Sequence, residues 1–188
     1  NNDISDNDIS NNEFGGIYLW GSSNNIITGN SISNNEWDGI DLWDSSNNDI
    51  SDNDISNNEF GGIYLWGSSN NVITGNSISN NEWDGIDLWG SSNNVITGNS
   101  ISNNRYGISL TSSSNNIIYL NNFINNADSV YSYGTNIWNS TSQMTYTYEG
   151  GTYTNYLGNY WSDYTGSDAD GDGIGDTPYS IDGDKDYY

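Results

Sequence analysis

The chain has 188 residues, and 25 acidic side chains against only Arg105 and Lys185 leave a net charge of −23. Such a surface repels nucleic acid and anionic lipid, which excludes both as partners. The absence of cysteine and histidine excludes disulfides and thiolate metal sites, and removes the commonest general base and transition-metal ligand.

Residues 1–23, NNDISDNDISNNEFGGIYLWGSS, return as 24–46, 47–69 and 70–92, then loosely as 93–114, and a sixth copy opens at Asn115. A fixed period of this length is the signature of a solenoid. Aliphatic residues form columns: Ile4 with Ile27 and Ile50, Ile9 with Ile32 and Ile55, Ile17 with Ile40 and Ile63, Leu19 with Leu42 and Leu65. Around them apolar and polar residues alternate, the period of strands with one buried face. Asn, Ser and Gly fill the intervals as turns. A leucine-rich repeat would need several leucines per repeat, and each coil has one. The pattern therefore predicts an all-β parallel β-helix of about six coils, each of 22–23 residues. Four buried aliphatics stabilise one coil by roughly 6–12 kcal/mol, whereas ordering about 23 backbones costs roughly 1–2 kcal/mol each. A coil is stable only when stacked.

A further column, Asn7, Asn30, Asn53, Asn76, Asn99 and Asn121, is expected at a bend, with left-handed backbone and amides bonded from coil to coil. Residues 1–46 and 47–92 differ only at Ile26/Val72 and Asp44/Gly90, so the unit of duplication is a pair of coils. Asp3, Asp6 and Asp8 return at Asp49, Asp52 and Asp54, while Tyr18 and Tyr64 alternate with Asp41 and Asp87. Like charges are thus about 9.6 Å apart instead of about 4.8 Å, which roughly halves their repulsion. Only Glu13, Glu36, Glu59 and Glu82 stack in every coil, and Arg105 ends that column.

Trp20, Trp43, Trp66 and Trp89 each follow a column leucine, so alternation turns them outward. Such a stripe suits sugar rings or a second copy of the same surface. Phe14, Trp37, Phe60, Trp83 and Tyr106 form another aromatic column whose direction the pattern leaves open. The acids recur in every second coil, whereas catalysis needs one singular constellation. The expectation is that the chain is not an enzyme.

Regularity decays after Asn126, which divides the chain into β-helix repeats over residues 1–138 and a C-terminal cap over 139–188. Within the cap, QMTYTYEGGTYTNYL reads as a hairpin around Glu149-Gly150-Gly151. Asn139 opens the one N-glycosylation acceptor pattern. In DADGDGIGD, alternate carboxylates at Asp168, Asp170 and Asp172, with Asp176 beyond Gly173, have the spacing that opens a Ca²⁺ loop. Backbone carbonyls, water, or Asp182 and Asp184 would complete it. No apolar run reaches membrane-span length, so no membrane insertion is expected within this segment. The first residues lie inside a repeat, so coils or an export signal upstream, or a neighbouring subunit, are expected to cover that end.

The coil NNxITGNxISNNxxGIxLxxSS and the tail TYTNYLGNYWSDYTGSDADGDGIGDTPYSI resemble NosD-type right-handed parallel β-helix proteins, especially surface proteins of methanogenic archaea. The coil pattern covers residues 1–126 and the tail 152–181. The resemblance implies export, a cell-surface or extracellular location, and kinship with carbohydrate-binding and sugar-hydrolase β-helices. The family's link to copper delivery is not carried over, because Met144 is the only soft ligand in the chain. Together these readings predict a non-catalytic, calcium-stabilised structural or adhesive module whose partners are other copies of itself or cell-surface glycans. The alternative is a carbohydrate-binding module or a polysaccharide-processing enzyme.

Overall fold

The computed structural model describes residues 1–188 as a right-handed parallel β-helix, the hand that parallel crossovers take. Three sheets run along it. The first contains Asp3–Ser5, Ile26–Thr28, Asp49–Ser51, Val72–Thr74, Val95–Thr97 and Ile117–Tyr119. The second runs from Asp8–Ser10 to Asn122–Ile124 and adds Tyr160–Trp161 at its end. The third contains Ile17–Trp20, Ile40–Trp43, Ile63–Trp66, Asp84–Trp89, Tyr106–Thr111 and Asp128–Tyr133. Register is strict: Ile27 pairs with Ile50, Ile32 with Ile55 and Leu42 with Leu65. The column aliphatics from Ile27 to Ile118 are fully buried, so the core is a stack of like on like.

Three lines of asparagines run through the corners. In each, the backbone N–H and the side-chain amide of one Asn donate to Oδ1 of the Asn one coil further on. One line runs Asn2, Asn25, Asn48, Asn71, Asn94, Asn116, Asn136. A second runs from Asn7 through Asn53 and Asn121 to Asn159, and a third from Asn12 to Asn126. The expected column is therefore a ladder, but its asparagines are not left-handed. The positive φ falls on the residue before each rung, at Asp6, Gly29, Asp52, Gly75, Gly98 and Leu120. In each Asn-Asn pair the first bends the chain, as Asn24 and Asn47 do, and the second bonds.

Because every amide donates in one direction, the last rungs need acceptors with nothing to donate, and a carboxylate is one. Asp184 accepts from the Asn136 N–H and Asp186 from both the N–H and the amide of Asn159. Both acids lie on the small hairpin Tyr179–Ile181/Asp184–Asp186 that closes this end. Beneath it Phe123, Trp161 and Tyr179 stack at centroid distances of 4.4 and 4.3 Å. The seventh coil leaves the helix after the Ile117–Ile137 bridge, runs out through the hairpin Met144–Tyr148/Gly151–Asn155, and resumes at Tyr160–Trp161. Glu149 and Gly150 both take positive φ, as a two-residue turn matched to strand twist requires.

Replacing Asn76 with Ala would strand the buried Asn53 N–H and remove the amide that donates to the Ile50 carbonyl. The expected cost is about 2–5 kcal/mol, measured by denaturant unfolding. A loss under about 0.5 kcal/mol would show that the ladder is ornamental.

Candidate functional site

On the outer face of the third sheet, register places Asp41 beside Tyr64 and Tyr64 beside Asp87. Asp38 and Asp84 stand one turn earlier, in the column where the intervening coil has Gly61. That glycine is required. A Cβ there would come within 2.8 Å of the Asp38 Oδ1 and 3.2 Å of the Asp84 carbonyl oxygen. Instead, the Gly61 N–H donates to Asp38 Oδ1 at 2.7 Å. Two aromatic columns border the carboxylates. Phe14, Trp37, Phe60 and Trp83 lie on one side, all exposed, and the Trp43 column lies on the other. Arg105 lays its guanidinium over the Trp83 ring at 4.4 Å, at the far end of the group.

Burial raises the proton affinity of all four acids. It pushes Asp38 up to about 6 against the Gly61 hydrogen bond, and Asp41 up to about 7, with the charge of Asp38 adding to the effect. Asp84 is pushed up to about 7 by burial and the charges of Asp87 and Asp38, and is pulled back by Arg105. Asp87 is raised by burial and eased by the Ser109 hydroxyl. Burial, with the charges of Asp87, Asp41 and Asp38 adding to it, pushes Tyr64 up to about 12, so it stays a neutral donor. Asp41 is 6% exposed. Its Oδ1, those of Asp84 and Asp87, and the Trp43 Nε1 are buried without a hydrogen-bond partner. Unsatisfied buried polar atoms are costly, and in such density they mark a site that does chemistry or takes a ligand.

The residues expected from the sequence fall into separate places. Trp20, Trp66 and Trp89 are exposed as the alternation requires, while Trp43 is half-buried against Tyr18 and Tyr64. Asp168, Asp170 and Asp172 present carboxylate oxygens within 4.8 Å of one another. Asp176 instead closes the loop, accepting from the Ala169 N–H and the Ser167 hydroxyl. Asp182 and Asp184 do not complete that loop; they accept from the Ser132 and Asn136 N–H groups at the end of the helix. Asn139 donates its amide to the Ser140 carbonyl. The Asp38/Asp41/Asp84/Asp87 group went unrecognised in the sequence, although its signal is there: WDGIDLW alternates with FGGIYLW.

The NosD family, described as periplasmic copper-binding protein, matches residues 1–166. The chain belongs to the NosD family. No curated protein sequence matches the chain. Several solved structures share its fold. The periplasmic alginate epimerase AlgG superposes with a TM-score of 0.67 at 23% identity, over 72% of this chain and 38% of that one. The Azotobacter vinelandii mannuronan C-5 epimerase AlgE6 A-module does so with 0.56 at 18% identity, over 72% and 50%. This NosD-family chain thus spans half or less of the length of these neighbours.

The expectation that the chain is not an enzyme is corrected on this ground, for these β-helices are epimerases. Its physical premise also fails. Recurrence in alternate coils does not scatter the acids; with Gly61 between, it gathers four of them, and the one arginine of the chain makes the two ends of the group unlike. The copper in the family's description does not fit this member. No histidine or cysteine exists, and the one methionine, Met144, sits on a hairpin strand opposite Asn155. The ligand group that does converge is all carboxylate, which suits hard cations.

Acids with raised proton affinity bind protons in the folded chain that the unfolded chain has released. Stability contributed by Asp38, Asp41 and Asp84 is therefore full below about pH 4 and lost as pH rises to about 7. The melting temperature is expected to fall between pH 5 and 8, and the double variant Asp41→Asn/Asp84→Asn to be the more stable protein at pH 8 with a flatter profile. A parent profile level across that range would contradict the assignment.

Proposed function

We propose that this NosD-family β-helix works outside the cytoplasm, binding a polysaccharide along the outer face of its third sheet and cleaving it by acid–base chemistry. The supporting observation is the group of four high-affinity carboxyls bordered by two aromatic columns. Aromatic faces stack on the apolar faces of sugar rings, and carboxyls bond to their hydroxyls. A carboxyl that keeps its proton near neutral pH, close to one that has lost it, is an acid and base pair.

Asp41 and Asp87 are assigned these roles, with Tyr64 between them as a neutral donor. Their backbones are two coils apart, about 9.6 Å, close to the roughly 6.5–9.5 Å carboxyl separation that leaves room for water in inverting glycosidases. One carboxyl gives its proton to the leaving glycosidic oxygen. The other takes a proton from the water whose oxygen bonds to the anomeric carbon. Burial raises the proton affinity of both, and the charge of Asp38 adds to it at Asp41. A face this acidic, in a chain of net charge −23, favours a neutral glycan, whereas a polyuronate would need a cation to bridge it. Calcium is the cation assigned to Asp168, Asp170 and Asp172, as a stabiliser of the tail loop.

The test incubates the full chain with neutral, amino and uronate polysaccharides, before and after chelation. It reads new reducing ends, unsaturated ends and deuterium taken from solvent into the sugar. New reducing ends from a neutral glycan, falling about 10²-fold or more in Asp41→Asn and Asp87→Asn, are expected. No reaction with any polymer, or variants as active as the parent, would overturn the reading.

A further inference from the structure

One cavity of the molecule lies away from the carboxylates. It lies in the tail, about 530 Å³ in volume, within the size range of small-ligand sites. One wall is the end of the helix, with Leu120, Trp161 and Asp186; another is the Tyr148–Tyr164 side; the third is the glycine-rich loop from Gly166 to Thr177. That loop is a built element. The Asp168 carboxylate accepts from the N–H groups of Gly171, Asp172 and Gly173, and Tyr164 OH donates to the Thr177 carbonyl. Glycine is demanded where the loop passes the rings. A Cβ on Gly173 would come within 2.8 Å of Tyr148, and one on Gly166 or Gly175 would collide with the Tyr164 hydroxyl.

We propose that this cavity is a second glycan site, which takes a short neutral oligosaccharide and anchors the polymer away from the reacting face; the proposal rests on the glycan reading above. Its chemistry selects the ligand. The lining carries Asp168 and Asp186 and no lysine or arginine, so an anion is repelled. Both faces of Trp161 are covered, by Phe123 and Tyr179, so the ring best suited to hold an ammonium group is closed to one. What remains is a mixed lining of phenols, carboxylates and apolar carbon, the composition that a sugar ring matches with hydroxyls on its edge and C–H groups on its faces. Tyr160 and Tyr187 stand at the mouth, 58% and 55% exposed, with nothing else in the fold to explain two bare rings there. The Asp168 carboxylate also belongs to the triad that presents its oxygens within 4.8 Å, so the wall of the cavity and the cation loop are one piece of chain.

The experiment measures binding of neutral gluco- and xylo-oligosaccharides by calorimetry to the full chain carrying Asp41→Asn and Asp87→Asn, which stops cleavage, with Trp37→Ala and Trp83→Ala, which remove stacking rings of the reacting face. Saturable binding should persist there and weaken at least about tenfold when Tyr160→Ala and Tyr187→Ala are added. The same two tyrosine changes in the parent should leave the cleavage rate on a short soluble substrate unchanged, so the two sites fail separately. No binding in the silenced chain, binding indifferent to the tyrosine changes, or competition by tetramethylammonium at equal strength would each overturn the proposal. Correct folding of every variant is checked by its far-ultraviolet dichroism and melting transition.

Discussion

A buried amide hydrogen bond that points one way is the constraint on which the structure depends. Asn53 donates to Asn76 and Asn76 to Asn99, and each amide also ties down the carbonyls beside it. No coil can slip by a residue without stranding this whole set, and a one-residue slip would also turn the isoleucine columns outward. The ladder therefore fixes the register that the aliphatic core only favours. It also fixes the polarity of the solenoid and dictates its end. Two of the three lines finish on a side chain that accepts, Asp184 and Asp186, and Asp186, deep in the cap, is pushed up to about 6 by its burial.

The same vertical register builds the reacting face. Any residue type placed in alternate coils is brought back at twice the strand spacing, with the intervening coil as a spacer between. Where the spacer is glycine, as at Gly61, the acids above and below close over it; where it is Tyr64, a phenol stands between them. Desolvation by the sheet and the neighbouring rings then does what charge alone would not, holding protons near neutral pH. The duplication that spreads like charges along the surface thus also concentrates them at one place.

Fold and site differed in how far the sequence revealed them. Periodicity in Ile and Leu dictates a β-helix because each column must stack on its own copy. The Trp stripe follows from alternation alone. The acid group did not follow, because recurrence looks the same whether acids are spread or gathered; the difference lies in the size of the residue between, and Gly15 and Gly61 read as ordinary turn glycines. Recurrence reveals the column of asparagines, while the positive φ lies one residue earlier, mostly on Asp and Gly, which tolerate it as Asn does. In the tail, the acids of DGDKD resembled spare calcium ligands because spacing cannot tell a cation from a row of N–H donors.

The central claim is that packing between alternate coils raises the proton affinity of Asp38, Asp41, Asp84 and Asp87 above the ordinary aspartate range. Its most direct measurement is a pH titration of the aspartate side-chain carboxyl carbons by nuclear magnetic resonance on the full chain. The account predicts resonances with midpoints near 6 and 7, well above the ordinary aspartate range, that disappear or shift together in Asp41→Asn and Asp84→Asn. Every aspartate titrating near 4, apart from Asp186, would contradict it.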